Sequence, residues 1–178
     1  MTETEMTEKL KSRLPEKRFI HSLGVMETSV KLARRWNGNE CVCRLAGLLH
    51  DCAKYMDRDE MLSVIKSGSI QLYPGEENET ALLHAPAGAA EAVRSYGIND
   101  KDVLSAIRKH TIGAPVMSLE DKIVFTADMI EPSRSNIEEL ETLRELAFSD
   151  LDKAVKLCKS VSRRYCEKNG HTFFAFNQ

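Results

Sequence analysis

Leu48-Leu49-His50-Asp51-Cys52-Ala53-Lys54 places a histidine and an aspartate side by side at the end of an apolar segment. The periodicity of residues 41–52 predicts a buried helix that ends at this pair. A carboxylate is costly to bury unless a cation, a metal ion or hydrogen-bond donors balance its charge. Hydrogen bonding would account for an isolated His50-Asp51 pair, so its meaning depends on the rest of the chain.

The remainder of the chain also carries the pattern of α-helices. Strand signals are nearly absent, because no long alternation of β-branched residues occurs and aromatic residues make up only 6% of the chain. Polar residues before apolar periodic segments mark helix starts, and Ser118 with Asp121 resembles a capping box. We predict loops at 69–79 and 111–117, and helices over about residues 4–13, 15–36, 41–52, 57–66, 86–96, 100–110, 118–130, 136–147 and 150–168.

The length of 178 residues suits one domain, and no internal repeat or composition shift marks a second. We therefore predict a single all-α domain over residues 1–178. Its core covers about 15–135, and C-terminal helices with an aromatic tail follow at 136–178. In the tail sequence HTFFAFNQ, three phenylalanines either pack on the core or stack on a nucleobase; they are Phe173, Phe174 and Phe176.

The charge balance and the cysteines limit the class of partner and the compartment. With 25 Lys and Arg against 27 Asp and Glu, the formal net charge is −2, which argues against a binder of duplex nucleic acid. No apolar segment reaches the length of a transmembrane helix, and the N-terminus lacks the apolar region of a secretory signal, so no membrane association is expected. The five unevenly spaced cysteines indicate reduced thiols, which predicts a cytoplasmic location.

Three further histidines and one aspartate accompany the His-Asp pair, at the edges or in the apolar parts of predicted helices. Taken alone, each could be a satisfied core residue or a hydrogen-bonding group at a helix end. Together they offer four imidazoles and two carboxylates, which is three donors for each of two metal ions with positions left for water and substrate. In chain order the set is His21, His50-Asp51, His84, His110 and Asp128.

Five segments carry these residues with their flanks: RFIHSLGV (18–25), AGLLHDCAK (46–54), LHAPAG (83–88), IRKHT (107–111) and ADMIEPSR (127–134). Their order resembles the HD-domain superfamily of metal-dependent phosphohydrolases, an all-α helical bundle with a metal site at its centre. Within that superfamily the chain resembles the bacterial YqeK family of symmetrical bis(5′-nucleosyl)-tetraphosphatases. The resemblance covers about residues 15–135. The Gly-Tyr-Pro signature of cyclic-dinucleotide phosphodiesterases is missing after the His-Asp pair, which argues against that branch.

The resemblance implies a hydrolase that cleaves diadenosine tetraphosphate symmetrically into two ADP with a metal-activated hydroxide. It implies four metal ligands, which are His21, His50, Asp51 and Asp128, and two residues that hold a second metal ion or contact phosphates, which are His84 and His110. The cofactor expected from the family is iron, as one or two ions, although imidazole and carboxylate donors also suit Mn, Zn, Co and Ni. The residues interpreted as catalytic are Asp51, Lys54, His84 and His110.

Cations beside these residues are suited to the phosphates of such a substrate. Lys54 follows His50 by one helical turn, and Arg18 precedes His21 by about the same distance. Arg134 follows in a loop and is suited to bidentate phosphate binding. Helical periodicity allows only one of Arg108 and Lys109 to face a site, so neither is selected. The predicted nucleotide-binding set is Arg18, Lys54, His84, His110, Thr111, Asp128, Arg134 and Phe173.

Other functions stay open at this stage. One is a different nucleotide phosphatase of the same superfamily, which acts on dNTPs or mononucleotides. Another is a regulatory module that binds ADP or GDP without hydrolysing it. A binuclear oxygenase uses a similar ligand set, but the neighbouring cations favour a phosphate ligand. A homodimer is a further expectation.

Overall fold

A computed structural model describes residues 1–174 as a helical bundle without strands, which confirms the all-α prediction for this part of the chain. Phe176 of the aromatic tail lies outside the described residues. A 3₁₀ turn at Glu76–Asn78 precedes the fifth of the helices, which are α1 (Glu3–Arg13), α2 (Glu16–Trp36), α3 (Glu40–Leu49), α4 (Arg58–Ser67), α5 (Thr80–Tyr96), α6 (Lys101–Lys109), α7 (Leu119–Ile130), α8 (Leu140–Ser149) and α9 (Leu151–Asn169). Among residues 1–174, no helix has both the length and the apolar character needed to cross a bilayer.

Side-chain caps fix the starts of several helices. At α3 the Asn39 side chain accepts hydrogen bonds from the backbone N–H groups of Cys41 and Val42, at 3.1 and 3.2 Å. At α7 the predicted capping box is present: the Asp121 N–H donates to Ser118 Oγ at 3.1 Å, and the Ser118 N–H donates to the Asp121 carboxylate at 2.9 Å. Because such caps satisfy N–H groups that have no partner inside the helix, they determine where α3 and α7 begin.

Helix α5 begins at Thr80, so the prediction that it begins at residue 86 is wrong. Pro86 lies inside the helix, where its missing N–H leaves one carbonyl of the preceding turn without an intrahelical donor. Burial of the preceding Leu83, His84 and Ala85 stabilises helical structure ahead of the proline. His84 consequently lies within a helix rather than at its edge.

Helix α8 begins at Leu140 rather than at residue 136. The Arg144 side chain donates to three backbone carbonyls at the end of α7 and just after it, which are those of Ile130, Glu131 and Arg134. These hydrogen bonds hold the segment after α7 in a non-helical path. Ile137, which follows in the same segment, lines the cavity described below.

Two large apolar clusters hold most of the helices together, and α3 and α7 contribute to both. One joins α1, α3, α5 and α6 and includes Leu10 and Leu48. The other joins α2, α7, α8 and α9 and includes Leu32 and Leu143. All four leucines are fully buried, and each contributes about 1.5–3 kcal/mol relative to an exposed side chain. The five helices that carry or border the predicted metal ligands are thus fixed by these clusters.

The close contact of α2 with α3 depends on Gly47. A Cβ atom at this position would lie 2.9 Å from the Met26 Cα and 3.0 Å from the Ser29 Oγ. Glycine therefore permits an approach that any side chain would prevent. As a result, His21 on α2 and His50 after α3 face each other with their Nε2 atoms 3.3 Å apart.

Candidate metal centre

The six predicted metal ligands meet at one point of the bundle. Three lie within helices: His21 in α2, His84 in α5 and Asp128 in α7. Three lie just after the end of a helix: His50 and Asp51 after α3, and His110 after α6. The histidines and Asp51 are exposed by 5% or less, whereas the Asp128 side chain keeps 17% of its surface. The centre is therefore buried on most sides and open at Asp128.

A repeated hydrogen bond fixes the orientation of three imidazoles. The Nδ1–H group of each donates to the carbonyl three residues earlier; the pairs are His50 with Gly47 (2.8 Å), His84 with Ala81 (2.6 Å) and His110 with Ile107 (2.7 Å). Because a carbonyl oxygen can only accept, the neutral ring carries its proton on Nδ1 and a lone pair on Nε2. The three Nε2 atoms face the centre.

His21 is oriented by a side chain instead. Its Nδ1–H donates to Glu131 Oε1 at 2.9 Å. Glu131 is 1% exposed and also accepts from the backbone N–H and the hydroxyl of Ser133. Gly24 makes room for this carboxylate, since a Cβ there would lie 2.5 Å from Oε2. Glu131 is not among the residues predicted from the sequence, although an acidic residue three positions after Asp128 is a signal that could have found it.

The imidazoles form two close pairs through their Nε2 atoms. The Nε2–Nε2 distance is 3.3 Å between His50 and His21 and 3.1 Å between His84 and His110. Two lone pairs at this distance repel each other unless a cation binds to them. Nitrogen lone pairs that converge with carboxylate oxygens are a donor set typical of divalent transition metals. The residues present therefore fit a metal ion.

Asp51 lies between the two imidazole pairs. Its Oδ1 is 3.3 Å from His84 Nε2 and 3.6 Å from His110 Nε2. Its Oδ2 is 3.5 Å from His50 Nε2 and 4.0 Å from His21 Nε2. The donors thus form two groups that share one carboxylate.

Asp128 belongs to the group of His21 and His50, because its Oδ1 lies 3.0 Å and 3.8 Å from their Nε2 atoms. Burial opposes ionisation, but Arg134 and His21 hold the pKa of the Asp128 carboxyl well below its usual range. Burial also acts to raise the pKa of the Asp51 carboxyl, but the neighbouring His50 holds that pKa well below its usual range. Both carboxyl groups are therefore anionic donors at neutral pH.

The pKa values of His84 and His110 also suit metal binding. Burial, together with the charge of Lys54, lowers the pKa of His84 well below its usual range, and burial lowers the pKa of His110. Neutral imidazole is the form that binds metals. Burial also acts to lower the pKa of His50, but the charge of Asp51 outweighs it and raises that pKa. A proton and a metal ion compete for the same Nε2 lone pair of His50.

The three predicted phosphate-binding cations all reach the centre. Each contacts a different ligand: Arg18 donates to Asp51 Oδ2 at 2.8 Å, Arg134 donates to Asp128 Oδ1 at 2.5 Å, and Lys54 Nζ lies 3.2 Å from both ring nitrogens of His84. Three side-chain cations therefore lie directly beside the predicted metal ligands.

Three residues near the end of α6, Arg108, Lys109 and Thr111, do not bind the predicted metal ligands. Arg108 binds the buried Glu76 at 2.9 Å, and Lys109 binds Asp121 at 2.6 Å, so neither contacts the centre. The Thr111 hydroxyl oxygen is buried and has no hydrogen-bond partner within residues 1–174. Thr111 thus lines the cavity, although its hydroxyl oxygen is buried.

A cavity of about 750 Å³ adjoins the metal centre at His21, a volume within the range of small-molecule sites. Its walls come from the starts of α2 and α5, the segment after α7, and α9 with residues 171–174. The polar lining includes Lys17, Arg18, Thr111, Arg134 and Asn136, and the apolar lining includes Tyr55, Met129, Ile137, Val161, Tyr165 and Phe173. The predicted Phe173 thus lines the cavity, and Lys17 is a lining cation outside the predicted nucleotide-binding set.

The helical bundle and its central histidines and aspartates define the class of protein: residues 18–133 match the HD domain family. Two bacterial proteins named "Bis(5′-nucleosyl)-tetraphosphatase, symmetrical" are close relatives. That of Halalkalibacterium halodurans is 43% identical over 149 residues, with 82% of this chain and 77% of the relative covered. That of Staphylococcus aureus is 41% identical over 150 residues, with 82% and 75% covered. The chain belongs to the HD domain family and, within it, to the group of symmetrical bis(5′-nucleosyl)-tetraphosphatases.

A solved structure supports the same classification. The crystal structure of a predicted HD superfamily hydrolase involved in NAD metabolism from Clostridium acetobutylicum matches with a TM-score of 0.92 at 37% identity. The match covers 98% of this chain and 92% of that one. The HD fold and the family resemblance expected from the sequence are confirmed.

Proposed function

We propose that this chain is a metal-dependent hydrolase that cleaves diadenosine tetraphosphate symmetrically into two ADP. The observation that carries the proposal is the pair of donor groups that share Asp51 beside a cation-lined cavity. The names of the relatives support the same activity. A buried centre of this kind, reached by arginines and a lysine, is suited to a small, highly anionic substrate.

The metal would be held by His21, His50, Asp51, His84, His110 and Asp128. When bound, divalent ions supply Lewis acidity toward phosphate oxygens and a source of hydroxide near neutral pH. The Nδ1 hydrogen bonds keep all four Nε2 atoms directed at the centre. The two donor groups, which both include Asp51, would suit one or two ions.

The cations would bind and orient the polyphosphate. Arg18 and Arg134 contact different carboxylates of the centre, so positive charge lies on two sides of the place where a phosphorus atom would react. Guanidinium groups bind phosphate oxygens in a bidentate manner. This arrangement favours a substrate with phosphates on both sides of the broken bond. Thr111, which lines the cavity, would donate its hydroxyl or its backbone N–H to a further phosphate oxygen.

Four residues are proposed as catalytic: Asp51, Lys54, His84 and His110. Asp51, His84 and His110 form one of the two donor groups. Lys54 lies beside it, with its Nζ 3.2 Å from both ring nitrogens of His84. A phosphate oxygen at this group would contact the lysine ammonium directly. Charge on that oxygen would then be stabilised as the bond breaks.

Incubation of the metal-loaded chain with diadenosine tetraphosphate tests the function. We expect ADP as the nucleotide product. Release of ATP and AMP would contradict symmetrical cleavage, and no release of nucleotide with any divalent metal would contradict the hydrolase. A panel with dNTPs and mononucleotides separates the tetraphosphatase from another nucleotide phosphatase, since we expect turnover of these to be much slower.

Iron is the metal we propose to test first. The donor set accepts iron, manganese, zinc, cobalt or nickel, so the choice of iron comes from the resemblance to the family. Elemental analysis of chain purified under anaerobic conditions should give one or two iron ions for each chain. A chain that contains only another metal at this ratio would contradict the choice.

The proposal also covers the domain organisation, the assembly and the cellular location of the chain. The single domain over residues 1–178, the cytoplasmic location and the homodimer are further parts of it. All five cysteines are free, which supports a reducing compartment. Light scattering tests the assembly, and the mass of one chain in solution would contradict the dimer.

A further inference from the structure

Residues 171–174 and the last turns of α9 form one wall of the cavity. His171, Phe173, Phe174 and Tyr165 all line it. The His171 imidazole stacks on the Tyr165 ring, with centroids 6.2 Å apart and 18° between the planes. The Phe174 ring packs against Gly75, where an added Cβ would lie 3.7 Å from a ring carbon. The segment is therefore held by α9 at one end and by the loop before α5 at the other.

On this wall of the cavity, the Phe173 ring contacts the side chain of Arg163. The Arg163 guanidinium carbon lies 4.9 Å from the centroid of the Phe173 ring. Arg163 is not part of the cavity lining, so it covers the ring from outside. Phe173 is only partly buried and belongs to none of the apolar clusters formed by residues 1–174. Its ring is presented to the cavity rather than packed in a core.

A flat ring with a cation behind it is suited to stacking with a nucleobase. Aromatic rings favour offset stacking with other π systems, and a base stacked on an aromatic side chain is held by its face rather than by its hydrogen-bonding edge. The cavity runs from this wall to His21 at the metal centre. One ligand with phosphates at one end and a base at the other can therefore contact both.

We propose that Phe173, backed by Arg163 and neighboured by Tyr165, forms the subsite for the base of one nucleoside of the substrate. The proposal rests on the proposed function for the choice of an adenine nucleotide. Since stacking reads the face of the base, the subsite accepts guanine as well as adenine nucleotides. The phosphates of the same nucleotide extend towards Arg18 and the metal centre.

Two substitutions separate stacking from packing at this position. Phe173→Leu removes the aromatic face but keeps an apolar side chain, whereas Phe173→Trp keeps the face. Binding of the fluorescent analogue etheno-ADP and of inorganic tripolyphosphate is measured on the full chain in Mn²⁺. Phe173→Leu should raise the Kd of etheno-ADP about 5- to 100-fold and leave the Kd of tripolyphosphate unchanged. Phe173→Trp should bind etheno-ADP as the unsubstituted chain does.

A matched control is Phe148→Leu, which changes a partly exposed phenylalanine on α8 outside the cavity. It should leave both Kd values unchanged. The proposal is overturned if Phe173→Leu binds etheno-ADP normally, or if it loses both ligands equally. The measurement needs no turnover, so release of ATP and AMP from diadenosine tetraphosphate would overturn the proposed function and leave this subsite standing.

Discussion

The four histidines of the centre carry the Nδ1 proton because each has an acceptor behind it. For His50, His84 and His110 the acceptor is a backbone carbonyl, which no substitution can remove. For His21 the acceptor is the Glu131 carboxylate. Among these four histidines, only His21 has an orienting group that a side-chain substitution can remove.

Glu131→Ala should lower metal affinity about 10- to 100-fold, the usual effect of removing the group that orients a ligating histidine. Glu131→Gln should lose less, because its amide oxygen can still accept from His21 Nδ1. Calorimetric titration with Mn²⁺ measures both. Glu138→Ala, an exposed glutamate in the same segment, serves as the control, and equal affinities for all four proteins would contradict the positioning role.

Asp51→Ala should lose bound metal and activity while it keeps the helical circular dichroism of the unsubstituted chain. The expected loss exceeds the roughly 100-fold effect of an outer residue, since both donor groups share this carboxylate. Asp59→Ala, which changes an exposed aspartate on α4, should retain metal. Unfolding of Asp51→Ala would instead indicate that the buried carboxylate stabilises the fold.

At the scale of helices, Gly47 sets the distance between α2 and α3. Gly47→Ala should destabilise the protein by about 1–3 kcal/mol, the usual cost of adding volume to a tightly packed contact, although alanine is the better helix former. Urea unfolding measures this free energy. Gly47→Ser adds the same Cβ and should reproduce the effect, and a stabilised Gly47→Ala would show that the helices separate without cost.

Helix α1 is attached to α5 through Glu91. This carboxylate is fully buried and binds Arg13 at 2.5 Å and Arg94 at 2.6 Å. Both arginines are well exposed, so we expect Glu91→Gln to cost only about 1–2 kcal/mol of unfolding free energy.

The same pair gives a pH dependence. Burial acts to raise the pKa of Glu91, but hydrogen bonds from Ser95 and Arg13 hold it below the ordinary value of 4.5. A lowered pKa in the folded state contributes stability above pH 4.5, which is lost as the pH falls through the folded-state pKa. The difference in unfolding free energy between the unsubstituted chain and Glu91→Gln should therefore shrink below pH 4.5. A difference that grows in acid would contradict the assignment.

At the scale of the whole molecule, the centre joins residues from five helices or their ends. A metal ion that binds only the folded chain, at a free concentration 100 times its Kd, adds about 2.7 kcal/mol of stability. For a chain of this length, chelation should then lower Tm by roughly 5–10 °C. Thermal unfolding with and without EDTA measures the shift. Asp51→Ala should show none, and an unchanged Tm for the unsubstituted chain would contradict a metal that links these helices.

The fold could be predicted from the sequence because its signals are local. Caps such as Ser118 with Asp121 mark helix starts, and the ordered histidines and aspartates mark the centre. Pro86 misled the prediction, because burial of the residues before it outweighed the usual effect of proline. Glu131 and the contact of Arg163 with Phe173 depend on how distant segments pack, and no local pattern contains that information.

Three helices end at the centre: α3 at Leu49, α6 at Lys109 and α7 at Ile130. Each helix C-terminus carries about −0.5 of an elementary charge from its macrodipole. The backbone therefore adds a negative field to that of the two carboxylates. Such a field attracts metal ions and repels phosphates, so we expect the metal-free protein to bind ADP poorly. Metal should bind before nucleotide, and this order follows from where three helices stop.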